Sequence, residues 1–371
     1  MINARRCLAA TLLAATFCVS ATGCGQRDES AVPARPDAAE TAQATAAVAI
    51  PDNYGAQVAE DVLRAGGNAV DAAVAVGFSM AVTFIDAGNI GGGGFMMIYM
   101  DGLPAFLDYR ETAALAAHRD MYLDEHGGVI ENASLIGAQA AGVPGTVAGL
   151  WEAHQRYGSL PWKELVMPAV KLAEDGFVPA RALVDDVHSM QDWFGESTNF
   201  YDYFGRISTE RPFRQPELGR TLRRIAELGP DDFYRGETAD LIIAQMQRSG
   251  GLITAGDLER YRAVWREPLR TRWRDFEILA APPPSSGGFA LIQLLKMKDY
   301  LADEFAGVPH NSPRYIHLVA EMEKRVFADR AEYLGDPDYV DNPIEELIAD
   351  DYVAARAREV NADEISQLDA V

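Results

Sequence analysis

The chain has 371 residues, 48% hydrophobic and 24% charged, enough to bury a sizeable core in one large or two smaller domains. Its 33 basic and 55 acidic residues give a net charge of −22. That balance argues against nucleic acid as a partner, because phosphate binding needs a basic surface.

Residues 1–23 read as an export signal. Arg5 and Arg6 form a basic start, and the apolar run from Leu8 to Val19 is too short to span a bilayer. Ala21-Thr22-Gly23-Cys24 resembles the lipobox of bacterial lipoproteins, which places lipid attachment at Cys24. A plain signal peptide is the alternative. The cysteines are Cys7, Cys18 and Cys24, so a chain matured at this point carries no disulfide, thiol nucleophile or thiolate metal site. Residues 24–47 are rich in Ala, Pro, Asp, Glu and Gln and read as a flexible tether. Together these features imply an exported protein of the periplasm or cell envelope, touching a membrane only through its lipid.

Order is expected from Val48. Asp52 or Asn53 can cap a helix through Arg64, which Gly66-Gly67 ends. Asn68 can cap a second helix, from Ala69 to Thr83, apolar nearly all round and therefore buried. Then comes Gly88-Asn89-Ile90-Gly91-Gly92-Gly93-Gly94. Four consecutive glycines cannot be a helix interior, since each costs about 1 kcal/mol relative to Ala. They suit a sharp turn or a close approach of backbones. Phe95 to Tyr99 has strand composition, Asp101-Gly102 is a hairpin signal, and Pro104 to Leu107 is a second short strand. This delivers Arg110 at a strand end, with an ordinary hairpin and a surface Arg110–Glu111 ion pair as the plainer reading.

Further on, helices are predicted from Val147 to Arg156, from Pro161 to Glu174, from Leu218 to Leu228 and from Glu237 to Arg248. Asp185 to Phe213 is aromatic-rich and reads as an irregular, packed surface excursion. Phe276 to Ala281 reads as a strand. Pro282-Pro283-Pro284-Ser285-Ser286-Gly287-Gly288 is a rigid turn opening onto a helix from Phe289 to Tyr300. A long helix, Pro313 to Leu334, and a charged helical end, Ile344 to Val371, complete the chain. The six histidines, 118, 126, 154, 188, 310 and 317, are scattered and suit surface or core roles.

Six stretches, in order, resemble the large subunit of the γ-glutamyltranspeptidases, or glutathione hydrolases. They are residues 64–73 (Arg-Ala-Gly-Gly-Asn-Ala-Val-Asp-Ala-Ala), 88–95, 108–112, 142–146 (Gly-Val-Pro-Gly-Thr), 282–288, and 329–337 (Asp-Arg-Ala-Glu-Tyr-Leu-Gly-Asp-Pro). The resemblance covers residues 48–371. It implies an α/β fold, the N-terminal-nucleophile hydrolase αββα sandwich, of which this is the large-subunit part, incomplete without the small subunit. It implies a precursor that cleaves itself, exposing a threonine whose own α-amine serves as base. No metal or organic cofactor is implied.

By resemblance, Arg110 binds the α-carboxylate of the γ-glutamyl group. A planar guanidinium suits this, because two parallel hydrogen bonds fix a carboxylate's orientation. Asp108 and Glu111 are expected to lock its rotamer. Gly91, Gly92, Gly93, Gly94, Ser285, Ser286, Gly287 and Gly288 are expected to be scaffold. The family's proline at position 114 is Ala114 here, which would loosen the loop carrying Arg110. Neither Thr146 nor Thr254 has the nucleophile's context, so the nucleophile is expected in the small subunit and this chain alone should be inactive. Two alternatives stand beside this reading: a subunit of a glutaryl-cephalosporin-type acylase, and a catalytically silent truncated lipoprotein.

Overall fold

The computed structural model describes residues 46–194 and 198–367. The expected signal, Cys24 and most of the tether lie outside the described residues. The chain divides into two units, Met1–Ala47 and Val48–Val371, and every element below belongs to the second.

Two capped helices open it. Helix α1 (Asn53–Arg64) is capped by Asp52, whose carboxylate accepts the N–H groups of Tyr54 and Gly55 at 2.8 and 3.0 Å. Helix α2 (Ala69–Thr83) starts with a capping box. The Asn68 side chain accepts from Val70 and Asp71, and Asp71 reaches back to the Asn68 N–H at 2.9 Å. Asp71 also accepts the N–H groups of Ser159 and Leu160 and the Ser159 hydroxyl. Burial alone raises its pKa, but these hydrogen bonds outweigh burial and hold the carboxyl below its ordinary range. The Asn68–Asp71 motif is therefore a strap between α2 and the turn at 158–160.

Eleven of the fifteen residues of α2 are buried, so it is the central rod expected of an apolar sequence. Around it pack α1, α3 (Thr146–Tyr157) and α4 (Trp162–Asp175), and the helix Pro216–Leu228 packs on α4. Phe78 of α2 meets Trp162 edge-on at 5.3 Å, and the Trp162 ring N–H donates to the Ile225 carbonyl at 2.9 Å. A second apolar cluster joins the helices Gly287–Tyr300, Pro313–Tyr333 and Asp350–Arg358 through Phe289, Met297, Met322, Val326 and Val353.

The strands form two small antiparallel sheets. Strands β1 (Phe95–Met100) and β2 (Leu103–Asp108) are joined at Asp101 and Gly102, which have φ of 53° and 79°. Two left-handed residues in a row match the twist of a tight hairpin. Strand β3 (Val264–Arg266) adds to β2, and β4 (Leu269–Trp273) pairs with β5 (Phe276–Ala280).

Three expectations need correction. Arg181–Ser189 is a helix, with Leu183, Val184 and Val187 buried, so regular structure runs into the stretch expected to be irregular. Strands β3 and β4 were not expected, because alternating arginines interrupt their apolar residues. The charged end is helical only at Ile344–Leu347 and Asp350–Arg358, and residues 360–367 are not helical. Among the described residues no helix is long and apolar enough to cross a membrane.

Candidate functional site

The β1–β2 ladder continues one pair beyond the named strands. Gly94 and Tyr109 exchange backbone hydrogen bonds at 3.0 and 3.2 Å. Just past that pair the backbone of Arg110 is held at both ends. Its N–H donates to Asp108 Oδ1 at 3.1 Å, and its carbonyl accepts the Tyr261 hydroxyl at 2.8 Å. Burial foremost pushes the Tyr261 phenol up, and the nearby Tyr234, Asp108 and Glu111 add to it. The hydroxyl is thus kept protonated, as a donor. Thr112 bridges to Val143 through reciprocal backbone bonds at 2.8 and 3.3 Å, and the Leu115 N–H donates to Asp257 at 2.6 Å. The loop expected to be loosened by Ala114 is pinned on both sides of that residue, and Ala114 itself is buried.

The glycines explain how the strand end fits. A Cβ on Gly93 would overlap the Tyr109 carbonyl and lie 2.7 Å from the Glu111 nitrogen. The buried Gly92 carbonyl accepts the N–H groups of Gly145 and Thr146 at 2.7 and 3.0 Å. A Cβ on Gly145 would overlap both the Tyr109 carbonyl and the Tyr261 hydroxyl, and one on Gly149 would overlap the Tyr109 ring. Gly91, by contrast, faces open space, so packing does not demand glycine there. Replacing Gly145 with Ala forces these backbones apart. We expect a loss of about 3 kcal/mol, the upper end for overpacking, read as a lower urea midpoint. An unchanged midpoint would show that the strand end shifts without cost.

Asp108 and Glu111 do not hold the Arg110 guanidinium. Phe106 pairs with Arg266 across β2 and β3, so Asp108, two residues along the same face, is the diagonal neighbour of Arg266. Asp108 Oδ2 accepts Arg266 Nε at 2.8 Å, and the two terminal nitrogens of Arg266 grip both oxygens of Asp338 at 3.0 and 3.1 Å. That second grip holds the Asp338 carboxyl below its ordinary range. No ion pair joins Arg110 to Glu111 among the described residues. The Arg110 side chain is exposed, and no hydrogen bond to it is found among the described residues.

Arg110 opens onto a cavity of about 500 Å³, within the range of small-molecule sites. Asp108, Glu111 and Ser286 line it too, together with Arg266, Arg330 and Asp336. Ser285 does not; its hydroxyl accepts the Gly287 N–H at 3.2 Å. Gly288 packs where a Cβ would overlap the Ala281 carbonyl, which seats the helix start against the end of β5, while Gly287 is exposed. Thr146 is buried at the start of α3, and the Thr254 hydroxyl is spent capping a helix with Asp257. Among the described residues no group of three or more His, Cys, Asp or Glu is placed to hold a metal.

Sequence reasoning missed Tyr261, Arg266 and Asp338. The signal for Arg266 was the alternation Val264-Trp265-Arg266, which places the arginine on the Asp108 face once β3 is paired. Arg266→Ala should lower stability by about 1.5–3 kcal/mol, read as a lower urea midpoint, as expected for losing a charged hydrogen-bond bridge. Arg266→Lys should not restore the midpoint, because an ammonium cannot span two carboxylates as a fork does. An unchanged midpoint in both variants would count against the bridge.

The sequence matches the Gamma-glutamyltranspeptidase family over residues 55–369. The chain belongs to the γ-glutamyltranspeptidase family. A glutathione hydrolase proenzyme of Pseudomonas aeruginosa is 57% identical over 325 residues, covering 88% of this chain and 58% of the relative. The Acylase ACY 1 proenzyme of a Pseudomonas species is 34% identical over 306 residues, 80% of this chain and 54% of that protein. A solved γ-glutamyltranspeptidase of Pseudomonas nitroreducens, complexed with L-DON, superposes with a TM-score of 0.86 at 57% identity. That match covers 87% of this chain and 97% of the solved one. The α/β fold is thus that of the family's N-terminal-nucleophile hydrolases, over the large-subunit portion. The chain spans about half the length of the curated relatives it matches.

Proposed function

We propose that this chain is the large-subunit part of a γ-glutamyltransferase or glutathione hydrolase. Its substrates are γ-glutamyl amides, glutathione among them. The observation that carries the reading is Arg110: a guanidinium without a protein partner among the described residues, on a backbone pinned on both sides, opening onto a ligand-sized cavity. A cation held ready in this way suits an anionic ligand, and the α-carboxylate of a γ-glutamyl group offers two oxygens for two parallel N–H bonds.

The chemistry is assigned to the small subunit, outside these 371 residues. Its N-terminal threonine oxygen attacks the γ-amide carbonyl, and its α-amine takes the hydroxyl proton. The leaving amine departs with a proton, and the γ-glutamyl ester on threonine is then broken by water or by an acceptor amine. Throughout, this chain's part is to hold the γ-glutamyl group by Arg110 so that its carbonyl meets the nucleophile. The isolated chain should release no chromophore from a γ-glutamyl anilide, whereas the complete precursor, once matured, should. Turnover by the isolated chain would refute the division of labour.

A second reading has an observation in its favour, the acylase relative at 34% identity. An acylase that removes glutaryl side chains handles substrates without the α-amino acid group, and so has less use for Arg110. The higher identity to a glutathione hydrolase, 57%, favours the γ-glutamyl reading. We also place the protein outside the cytoplasm, held by lipid at Cys24. Incorporation of a labelled fatty acid that disappears in Cys24→Ser would support this, and equal labelling of both forms would refute it.

A further inference from the structure

The cavity that holds Arg110 contains a second, independent cation. Arg330 sits in the last turn of the helix Pro313–Tyr333, far along the chain from Arg110, yet lines the same 500 Å³ space. Its Nε donates to the Ser286 hydroxyl at 2.9 Å. That one bond fixes the plane of the guanidinium while leaving its two terminal nitrogens without a partner among the described residues. The Phe327 ring, 5.9 Å from the guanidinium carbon, supports one side. The other arginines of the cavity are hydrogen-bonded within the protein. Arg266 is taken up by both Asp108 and Asp338 in the bridge described above. Arg262 donates to the carbonyls of Glu259 and Tyr261, both at 2.7 Å. Asp336 accepts the Asp338 N–H at 2.9 Å. Arg110 and Arg330 thus keep both terminal nitrogens without a partner among the described residues, in a cavity that Glu111 and Asp336 also line.

We propose that Arg330 is a second carboxylate subsite, which binds the carboxylate carried by the leaving part of the donor while Arg110 binds that of the γ-glutamyl part. The inference rests on the γ-glutamyl reading above and adds a substrate class to it: donors with an acidic group at each end, such as γ-glutamyl peptides with a free C-terminus. Arg330 is a specificity determinant and takes no part in bond making. Ser286 is its positioning residue, which gives the Pro-Pro-Ser-Ser-Gly-Gly turn a role toward substrate.

The test compares glutathione with its C-terminal amide, two donors that differ only in the second carboxylate, on the complete matured enzyme. The unsubstituted enzyme should favour glutathione at least 10-fold in kcat/KM. Arg330→Gln should bring glutathione down to the level of the amide and leave the amide within about twofold. Ser286→Ala should lie between. No preference in the unsubstituted enzyme, or an equal loss for both donors, overturns the subsite. Should Arg330→Gln and Arg330→Lys both fail to assemble with the small subunit, Arg330 is an assembly contact and the proposal also falls. If the unsubstituted enzyme cleaves neither donor, the γ-glutamyl reading itself fails and takes this proposal with it.

Discussion

Replacing Arg110 with alanine should raise KM for a γ-glutamyl anilide roughly 100-fold or more, because two charge-assisted hydrogen bonds are lost together at about 1.5–3 kcal/mol each. The value of kcat should fall much less, since the carboxylate is held equally in the ground and transition states, and loss of such uniform binding appears in KM. Lysine at the position should recover only part of the loss, keeping the charge but not the fork. Stability should hardly move. The guanidinium contacts nothing that folding relies upon, and the backbone bonds to Asp108 and Tyr261 survive any side chain. The expected change is within about 0.5 kcal/mol, as for a surface substitution. Steady-state kinetics and urea melts on the same preparation separate these effects. A KM that does not change would move the assignment to the acylase reading.

Much of the frame is legible in the sequence because local signals agree with it. The Asn68 cap, the Asp101-Gly102 turn and the glycines that end α3 and α4 act over three or four residues, and each lies where its local chemistry puts it. Strand β3 escaped because it is only three residues long, and β4 because its exposed residues are the arginines 270 and 272, so the apolar alternation of both is weak. The helix Arg181–Ser189 was hidden by the aromatic residues beyond it.

The site was legible in its residue types and illegible in its connections. Arg110 could be singled out at a strand end, and the glycines could be read as a place of close approach. What they approach could not be read. Tyr109 lies against Gly93, Gly145 and Gly149, which are separated from one another by up to 56 positions in the sequence. The role of Asp108 was misjudged for a related reason. Adjacency in sequence suggested that it steers the Arg110 guanidinium, but pairing with β3 brings Arg266 alongside, so one carboxylate oxygen goes to Arg266 and the other holds only the Arg110 N–H. Such cross-chain partners become visible only once strand pairing is known.

The second large effect lies in the C-terminal cluster. Glu321 is 1% exposed and Arg325 3%, and they pair at 2.8 Å one helical turn apart. Glu321 also accepts from Lys324 at 2.6 Å and from the Ser366 N–H at 3.1 Å, so it ties the helix Pro313–Tyr333 to the segment near Ser366. Burial pushes its carboxyl up, but the hydrogen bonds from Lys324, Ser366 and Arg325 win and bring it down to about 2. A folded pKa below the ordinary 4.5 means that the unfolded chain binds the proton more tightly. The contribution is therefore fully present above about pH 4.5 and is lost as pH falls toward about 2. Glu321→Gln should cost about 3–5 kcal/mol at neutral pH, because it leaves Arg325 charged, buried and unpaired. It should also flatten the fall in stability through that acid window. Urea melts followed by circular dichroism from pH 7 down to pH 2 read both quantities. A variant whose acid limb parallels the parent would put the acid sensitivity elsewhere. Replacing Glu321 and Arg325 together by methionine should restore most of the loss, since a buried ion pair is worth little against well-packed apolar groups. Arg330 lies little more than one turn beyond Arg325 on this helix, so the double variant should recover glutathione preference together with stability. Recovery of stability without that preference would mean that the pair orients the helix end and does more than hold it folded.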